Sequence, residues 1–187
     1  MIAVHARYRG REKRRAELVR RSAEALATLP GVGTFEVVGV EDIRARVDDA
    51  EAALNLIMAL LSDGSWAIGL GITREGSALY TATEAVGSRP AVVGVKVDAP
   101  DAGTDAEDIA AALALLGHVL HKRTFEGREA TALLRGGYNQ NEAAAALGIS
   151  KQAMSQRLQA AGWRAEQAGW KLVLNLITRA ASAPPAR

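Results

Sequence analysis

The sequence predicts an α+β or α/β protein in which a small N-terminal sheet domain, residues 1–100, precedes an all-helical module, residues 104–181. In the first 100 residues, β-prone stretches alternate with stretches of helical periodicity. The later residues show helical patterns only. Such an order favours a sheet covered by helices, and 187 residues are enough for two small domains.

Four stretches rich in Val and Ile are predicted as strands: residues 2–8, 34–40, 66–72 and 91–97. The third, WAIGLGI, is almost wholly apolar. We therefore expect it to be buried on both faces, at the centre of a sheet of about four strands.

Three helices are predicted between these strands. The first covers residues 11–29 and ends at Pro30-Gly31. The second is a long helix to about Leu61, for which Asp42 is the expected N-cap. The third is a short helix within residues 76–87.

Gly69 and Gly71 lie within the apolar strand and have two interpretations. They could begin a phosphate-binding loop, but the third glycine of a dinucleotide fingerprint is missing and no helix follows directly. Small residues in a buried strand more often permit close packing of a neighbouring element. We therefore favour close packing.

A linker is predicted at residues 100–103. Outside its central motif, the helical module is predicted to contain three helices: one from a capping pattern at 104–107 to about Lys122, one at about 127–135, and one from Trp163 to about Ala181. The tail, residues 182–187, is predicted to be disordered.

The last helix carries an apolar stripe and needs a cover. Its members are Trp163, Trp170, Val173, Leu174 and Ile177. The cover is either the helix at residues 104–122 of the same chain or a second copy. We expect a homodimer, with Trp170 and Leu174 near the centre of its interface.

Residues 139–161 are typical of a helix-turn-helix. Asn139 and Glu142 have the spacing of a capping box at the start of the first helix. Gly148 can adopt the left-handed backbone that the turn requires, and Ser150 can cap the second helix. An ordinary αα-hairpin is the alternative.

The second helix of this motif, about residues 151–161, is expected to enter the major groove of DNA. Ile149, Met154 and Leu158 are expected to face inward. The remaining side chains are donors or acceptors that can reach base edges or phosphates, and none is acidic. The predicted DNA contacts are Asn139, Gln140, Ser150, Lys151, Gln152, Ser155, Gln156, Arg157 and Gln159.

The distribution of charge agrees with a DNA-binding module at the C-terminal end. Residues 36–121 carry five basic and fourteen acidic side chains, whereas residues 122–187 carry ten basic and four acidic ones. The chain has no cysteine, which excludes disulfides and thiolate metal sites. No membrane span or signal peptide is predicted, and we expect a cytoplasmic protein.

Two other groups of side chains could have either a functional role or none beyond a place in the fold or on the solvated surface. His118 and His121 have a spacing that could hold a metal, but no further ligand is evident, so no metal or cofactor is predicted. The basic run at residues 7–15 is either a solvated strand end and helix face or a second contact to nucleic acid.

The chain resembles the SatD family of bacterial proteins. The resemblance rests on residues 66–72, on the helical stretch before them with Leu54-Asn55, and on residues 148–163 (GISKQAMSQRLQAAGW). It covers about residues 50–75 and 124–175. It implies an α/β N-terminal region coupled to a DNA-binding C-terminal helix-turn-helix.

The sequence therefore predicts a transcriptional regulator that is not an enzyme. Two alternatives remain open: an enzyme that acts on a nucleotide and uses the motif for targeting, and an interaction module that resembles the promoter-binding part of a sigma factor. Paired catalytic carboxylates, a Ser-His constellation and a full phosphate loop are missing from the sequence, which disfavours the enzyme. The sequence identifies no small-molecule effector.

Overall fold

The computed structural model describes residues 1–99 and 102–182 and has an α+β fold, as predicted. Its mixed sheet has the strand order β2-β3-β1-β4-β5, in which only β4 and β5 pair in parallel. The strands of this described part are β1 (Ile2–Tyr8), β2 (Glu36–Val38), β3 (Asp42–Val47), β4 (Trp66–Thr73) and β5 (Val93–Asp98). Its helices are α1 (Arg15–Leu26), α2 (Ala50–Asp63), α3 (Ala78–Ala85), α4 (Asp105–His121), α5 (Phe125–Arg135), α6 (Gln140–Ala146), α7 (Lys151–Ala160) and α8 (Trp163–Ser182).

The apolar strand β4 lies inside the sheet between β1 and β5, and all eight of its residues are buried. The predicted burial on both faces is confirmed. The sheet has five strands in the described residues rather than about four, and the central one is β1. The short helix expected within residues 76–87 is present as α3.

The prediction that Asp42 caps a long helix is wrong, because Asp42 begins β3. The N-cap of α2 is Asp49, whose carboxylate accepts a hydrogen bond from the backbone N–H of Ala52 at 2.8 Å. The sequence signal that distinguishes β3 from a helix is a period-two alternation of buried apolar residues with arginines. The buried residues are Ile43, Ala45 and Val47.

Helices cover both faces of the sheet. One face packs against α1, α2, α4 and the C-terminal part of α8. The other packs against α3, which approaches the sheet closely over its glycines. A Cβ on Gly69 would lie 2.3 Å from the carbonyl oxygen of Ala82, and one on Gly71 would lie 2.3 Å from the Ala82 nitrogen. Gly69 and Gly71 therefore serve close packing, as favoured above.

The buried apolar residues form two larger groups, which do not divide at residue 100. Residues of α4 and α8, including Leu113 and Ile177, belong to the core of the sheet. A separate small core lies among α5, α6 and α7 and includes Met154. The division into residues 1–100 and 104–181 stays a prediction.

Two further expectations concern the boundaries of the helical module. The helix α4 begins where it was predicted, but the capping box at residues 104–107 does not form: the Thr104 hydroxyl donates to the Asp108 carboxylate at 3.0 Å. Of the expected linker and tail, residues 100, 101 and 183–187 lie outside the described part of the chain.

Candidate DNA-binding site

The first helix of the predicted motif begins with the expected capping box. The Asn139 side-chain oxygen accepts hydrogen bonds from the backbone N–H groups of Asn141 and Glu142 at 2.9 and 3.0 Å. In return, the Glu142 carboxylate accepts from the Asn139 N–H at 2.8 Å. These bonds satisfy donors that a helix N-terminus otherwise leaves free, so they fix where α6 begins.

The turn between α6 and α7 has a left-handed residue at Gly148, with φ +63°. The N–H of Ile149 donates to the Ala144 carbonyl, and the N–H of Gly148 donates to that of Ala145, which is a Schellman arrangement. The Ser150 hydroxyl then accepts from the Ala153 N–H at 3.1 Å and caps α7. The predicted roles of Gly148 and Ser150 are confirmed.

The inner face of α7 packs as the i, i+4 spacing predicts. Met154 and Leu158 are buried against Ala143 and Ala144 of α6 and Ala130 of α5. The alanines let the helices approach closely, and partly buried leucines close the edges of this core. The arrangement fixes which side of α7 faces solvent.

The outer side of α7 and the start of α6 present the predicted polar side chains to solvent. We call this surface the α7 outer face; its exposed members are Asn139, Gln140, Ser150, Lys151, Gln152, Ser155, Gln156 and Gln159. No residue of α7 is acidic. A row of amides and hydroxyls with one cation can approach phosphates without repulsion.

Three of the nine predicted contacts have additional partners. The side-chain oxygen of Asn139 accepts two hydrogen bonds that cap α6, and that of Ser150 accepts one that caps α7, so neither group is fully available to a base. Arg157 is half-buried and lies near Glu126 at the start of α5. Hydrogen bonds with its own backbone and with Thr124, and then Arg157, lower the pKa of Glu126. Arg157 thus interacts electrostatically with a carboxylate at the side of α7.

A cavity of about 480 Å³ joins the start of α6 to the end of α7. Gln140 lies there beside Ser155 and Gln159, although fifteen residues or more separate them in the sequence, and Arg164 of α8 lies on the same rim. The α7 outer face therefore extends across three helices and gains a cation that the sequence analysis did not include.

An ionic cluster that sequence reasoning missed joins α5 and the residue before its N-cap to α8; Arg123 and Glu166 are buried in it, and Arg135 is exposed. We call it the Arg–Glu–Arg cluster: Arg123, Arg135 and Glu166. Glu166 is 4% exposed and Arg123 is 7% exposed. One carboxylate oxygen of Glu166 accepts from Nε and Nη2 of Arg135 at 2.9 and 2.7 Å, and the other accepts from Nη2 of Arg123. Burial lowers the pKa of Arg123 from its ordinary value, and Glu166 opposes that shift.

Further contacts extend the Arg–Glu–Arg cluster between α5, α7 and α8. Nε of Arg123 donates to the carbonyl oxygen of Ala161 at 2.8 Å, just after α7 ends. The Arg135 guanidinium carbon lies 5.8 Å from the ring centroid of Trp163, a cation–π contact. The cluster therefore joins α5 and the end of α7 to α8.

The basic run near the N-terminus is largely paired with acidic side chains. Arg7 binds the Asp42 carboxylate through two hydrogen bonds of 2.8 and 3.0 Å. Arg9 and Arg15 both bind Glu41. This pairing favours the interpretation of the run as a strand end and helix face at the surface over a second nucleic-acid contact.

The three histidines have different environments. His118 and His121 are exposed on α4. His5 is buried on the α3 side of β1, where its Nδ1 lies 2.9 Å from the Thr83 hydroxyl and its Nε2 lies 3.7 Å from the Asp42 carboxylate. Burial lowers the pKa of His5, and Asp42 opposes the shift.

The apolar stripe of α8 is covered largely from within the chain. Its inner face packs on α4, and Arg179 near its end binds Asp105 at the start of α4. Trp170 and Leu174, the expected centre of a dimer interface, are partly buried and face a cleft against α2. The large apolar side chain that α8 exposes is Leu172.

Among the described residues, no helix has both the length and the apolar character that a membrane span requires. Comparisons of the chain with protein-family models, with curated proteins and with solved structures find no match.

Proposed function

We propose that this protein is a DNA-binding transcriptional regulator whose helix α7 enters the major groove. The observation that carries the proposal is the α7 outer face, a polar and non-acidic surface on a capped and internally packed two-helix unit. Gln152 and Gln156 are exposed four residues apart, one helical turn, so both project from the same side of α7. A glutamine amide can donate to and accept from adenine in a bidentate pair.

The charged groups around α7 support the same function. Lys151 lies in the first turn of α7 and Arg164 lies beyond its end, so cations flank the glutamines along the helix. Phosphate contacts of this kind position a helix, whereas the amides supply discrimination between base pairs. Most of the sheet lies in the acidic part of the chain, residues 36–121, and in this proposal it regulates the protein or binds a partner and has no enzymatic role.

We also propose that the regulator acts as a homodimer. A single recognition helix buries little surface, and two-fold related helices can contact half-sites about 34 Å apart. Sedimentation at micromolar concentration should show a dimer. If Leu172→Asp dissociates it, the interface includes the exposed side of α8. A monomer that retains tight, specific binding would contradict this proposal.

The function is tested by fluorescence anisotropy with duplexes from upstream of the protein's own gene and with random duplexes of equal length. The affinity for both should fall as salt rises, because phosphate contacts release counterions. Lys151→Gln should weaken binding to both duplexes by a similar factor and reduce the salt slope by about one. Absence of binding to any duplex at low salt would refute the proposal.

A further inference from the structure

A second candidate site lies away from the α7 outer face, in the cleft between α2 and α8. It is a cavity of about 840 Å³, within the size range of pockets that hold small molecules. Trp163, Trp170 and Leu174 line it from α8, and Met58 and Ala59 line it from α2. The two tryptophans are seven residues apart, two helical turns, and therefore lie on the same side of α8.

The charge at this cavity is positive. Arg135 and Glu166 line the cavity and bind each other. Arg123 also binds the Glu166 carboxylate but is not among the residues that line the cavity. Two guanidinium groups thus face one carboxylate, which leaves a surplus positive charge. Lys171 also lines the cavity and has no carboxylate partner within residues 1–99 and 102–182. An apolar cleft with uncompensated cations is complementary to an apolar anion.

We propose that the α2–α8 cavity binds a small aromatic carboxylate. The ring would lie against Trp163 and Trp170, where aromatic pairs gain stability beyond the area that they bury. The carboxylate would face Arg135 and Lys171, which supply charge-assisted hydrogen bonds. Because Arg135 belongs to α5, the ligand would lie directly beside the helix-turn-helix. The inference goes beyond DNA binding and does not depend on it.

The test uses isothermal titration calorimetry of the full chain, without DNA, with 2-naphthoate and with the uncharged 2-naphthamide as probes. We expect the naphthoate to bind about tenfold more tightly or better, since hydrogen bonds to charged groups are the stronger kind. Equal affinity for acid and amide would overturn the anion preference. If neither probe binds at concentrations up to about 1 mM, even a weak affinity is excluded and the proposed site is overturned.

Matched variants locate the binding. Ala59→Phe fills the cavity and should abolish binding of the naphthoate, whereas Ala168→Phe on the exposed part of α8 should leave it unchanged. If Ala59→Phe does not fold, Leu174→Trp narrows the same space. Lys171→Gln should lower the naphthoate affinity about threefold and leave the naphthamide affinity unchanged, as expected for an exposed charge. Full binding in a folded, cavity-filled variant would overturn the proposal.

Discussion

Replacing Glu166 by glutamine should destabilise the protein strongly. The substitution keeps the size of the side chain but removes the charge that both guanidinium groups of the Arg–Glu–Arg cluster share. The carboxylate accepts three hydrogen bonds in a site where Glu166 is 4% exposed. A glutamine offers one acceptor oxygen and turns an N–H₂ donor toward a guanidinium, which is itself a donor. Arg123 is then buried without a counter-charge.

Breaking a buried pair by removing one partner costs about 3–5 kcal/mol. For a protein of this size, each kcal/mol shifts the melting temperature by about 2–4 °C, so we expect a decrease of roughly 6–20 °C. Circular dichroism during heating and during urea titration measures both quantities. The matched control is Glu107→Gln, at an exposed position of α4, which should change little.

A double substitution in the same cluster should give a partial rescue. Arg123→Met combined with Glu166→Met replaces the fully buried pair by apolar side chains and should recover part of the loss, because two desolvated charges disappear together. A loss below about 1 kcal/mol for Glu166→Gln, the value of an exposed pair, would refute the account of this cluster.

Three further predictions concern the turn, the sheet and the buried histidine. Gly148→Val should cost at least about 1–2 kcal/mol because its backbone is left-handed, with Gly148→Asn milder; equal stability by urea titration would show that the turn is not strained. Gly71→Ala should cost about 1–3 kcal/mol by overpacking against α3, whereas Gly87→Ala, which has open space, should be neutral in the same titration. Because the pKa of His5 is lowered in the folded protein, the imidazole binds a proton more readily in the unfolded chain. The contribution of neutral His5 to the free energy of unfolding is therefore complete above about pH 6.5 and is lost as the pH falls through the folded-state pKa. Melting temperatures between pH 8 and about 5 should show this loss in the wild type and in His118→Gln but not in His5→Gln, and an unchanged pH profile in His5→Gln would contradict the assignment.

The two capped helices at residues 139–161 and the turn between them could be predicted because their signals are local. Asn139 with Glu142, the left-handed Gly148 and the cap Ser150 each act within four residues, and every one is present in the structure. The burial of Met154 follows from helical periodicity in the same way. Short-range hydrogen bonds and periodic burial are the features that a single sequence carries directly.

The features that were missed depend on distant residues. Arg123 and Glu166 are separated by 43 positions, and no spacing rule connects them. The inclusion of α4 and α8 in the core of the sheet is likewise a property of tertiary packing. The error at Asp42 could have been avoided from the local sequence, because the apolar and charged residues that follow Asp42 alternate with period two, which predicts a strand.

The most direct test of the central claim compares Gln152→Ala and Gln156→Ala with Gln167→Ala, a glutamine that faces the α2–α8 cavity. A specific duplex is first selected from a random library with the wild-type protein. Anisotropy then measures affinity for this duplex and for a random one at fixed salt. Each α7 variant should lose about 1–3 kcal/mol on the specific duplex and little on the random one, and Gln167→Ala should lose nothing on either. Equal losses on both duplexes, or none, would contradict the claim that α7 recognises bases.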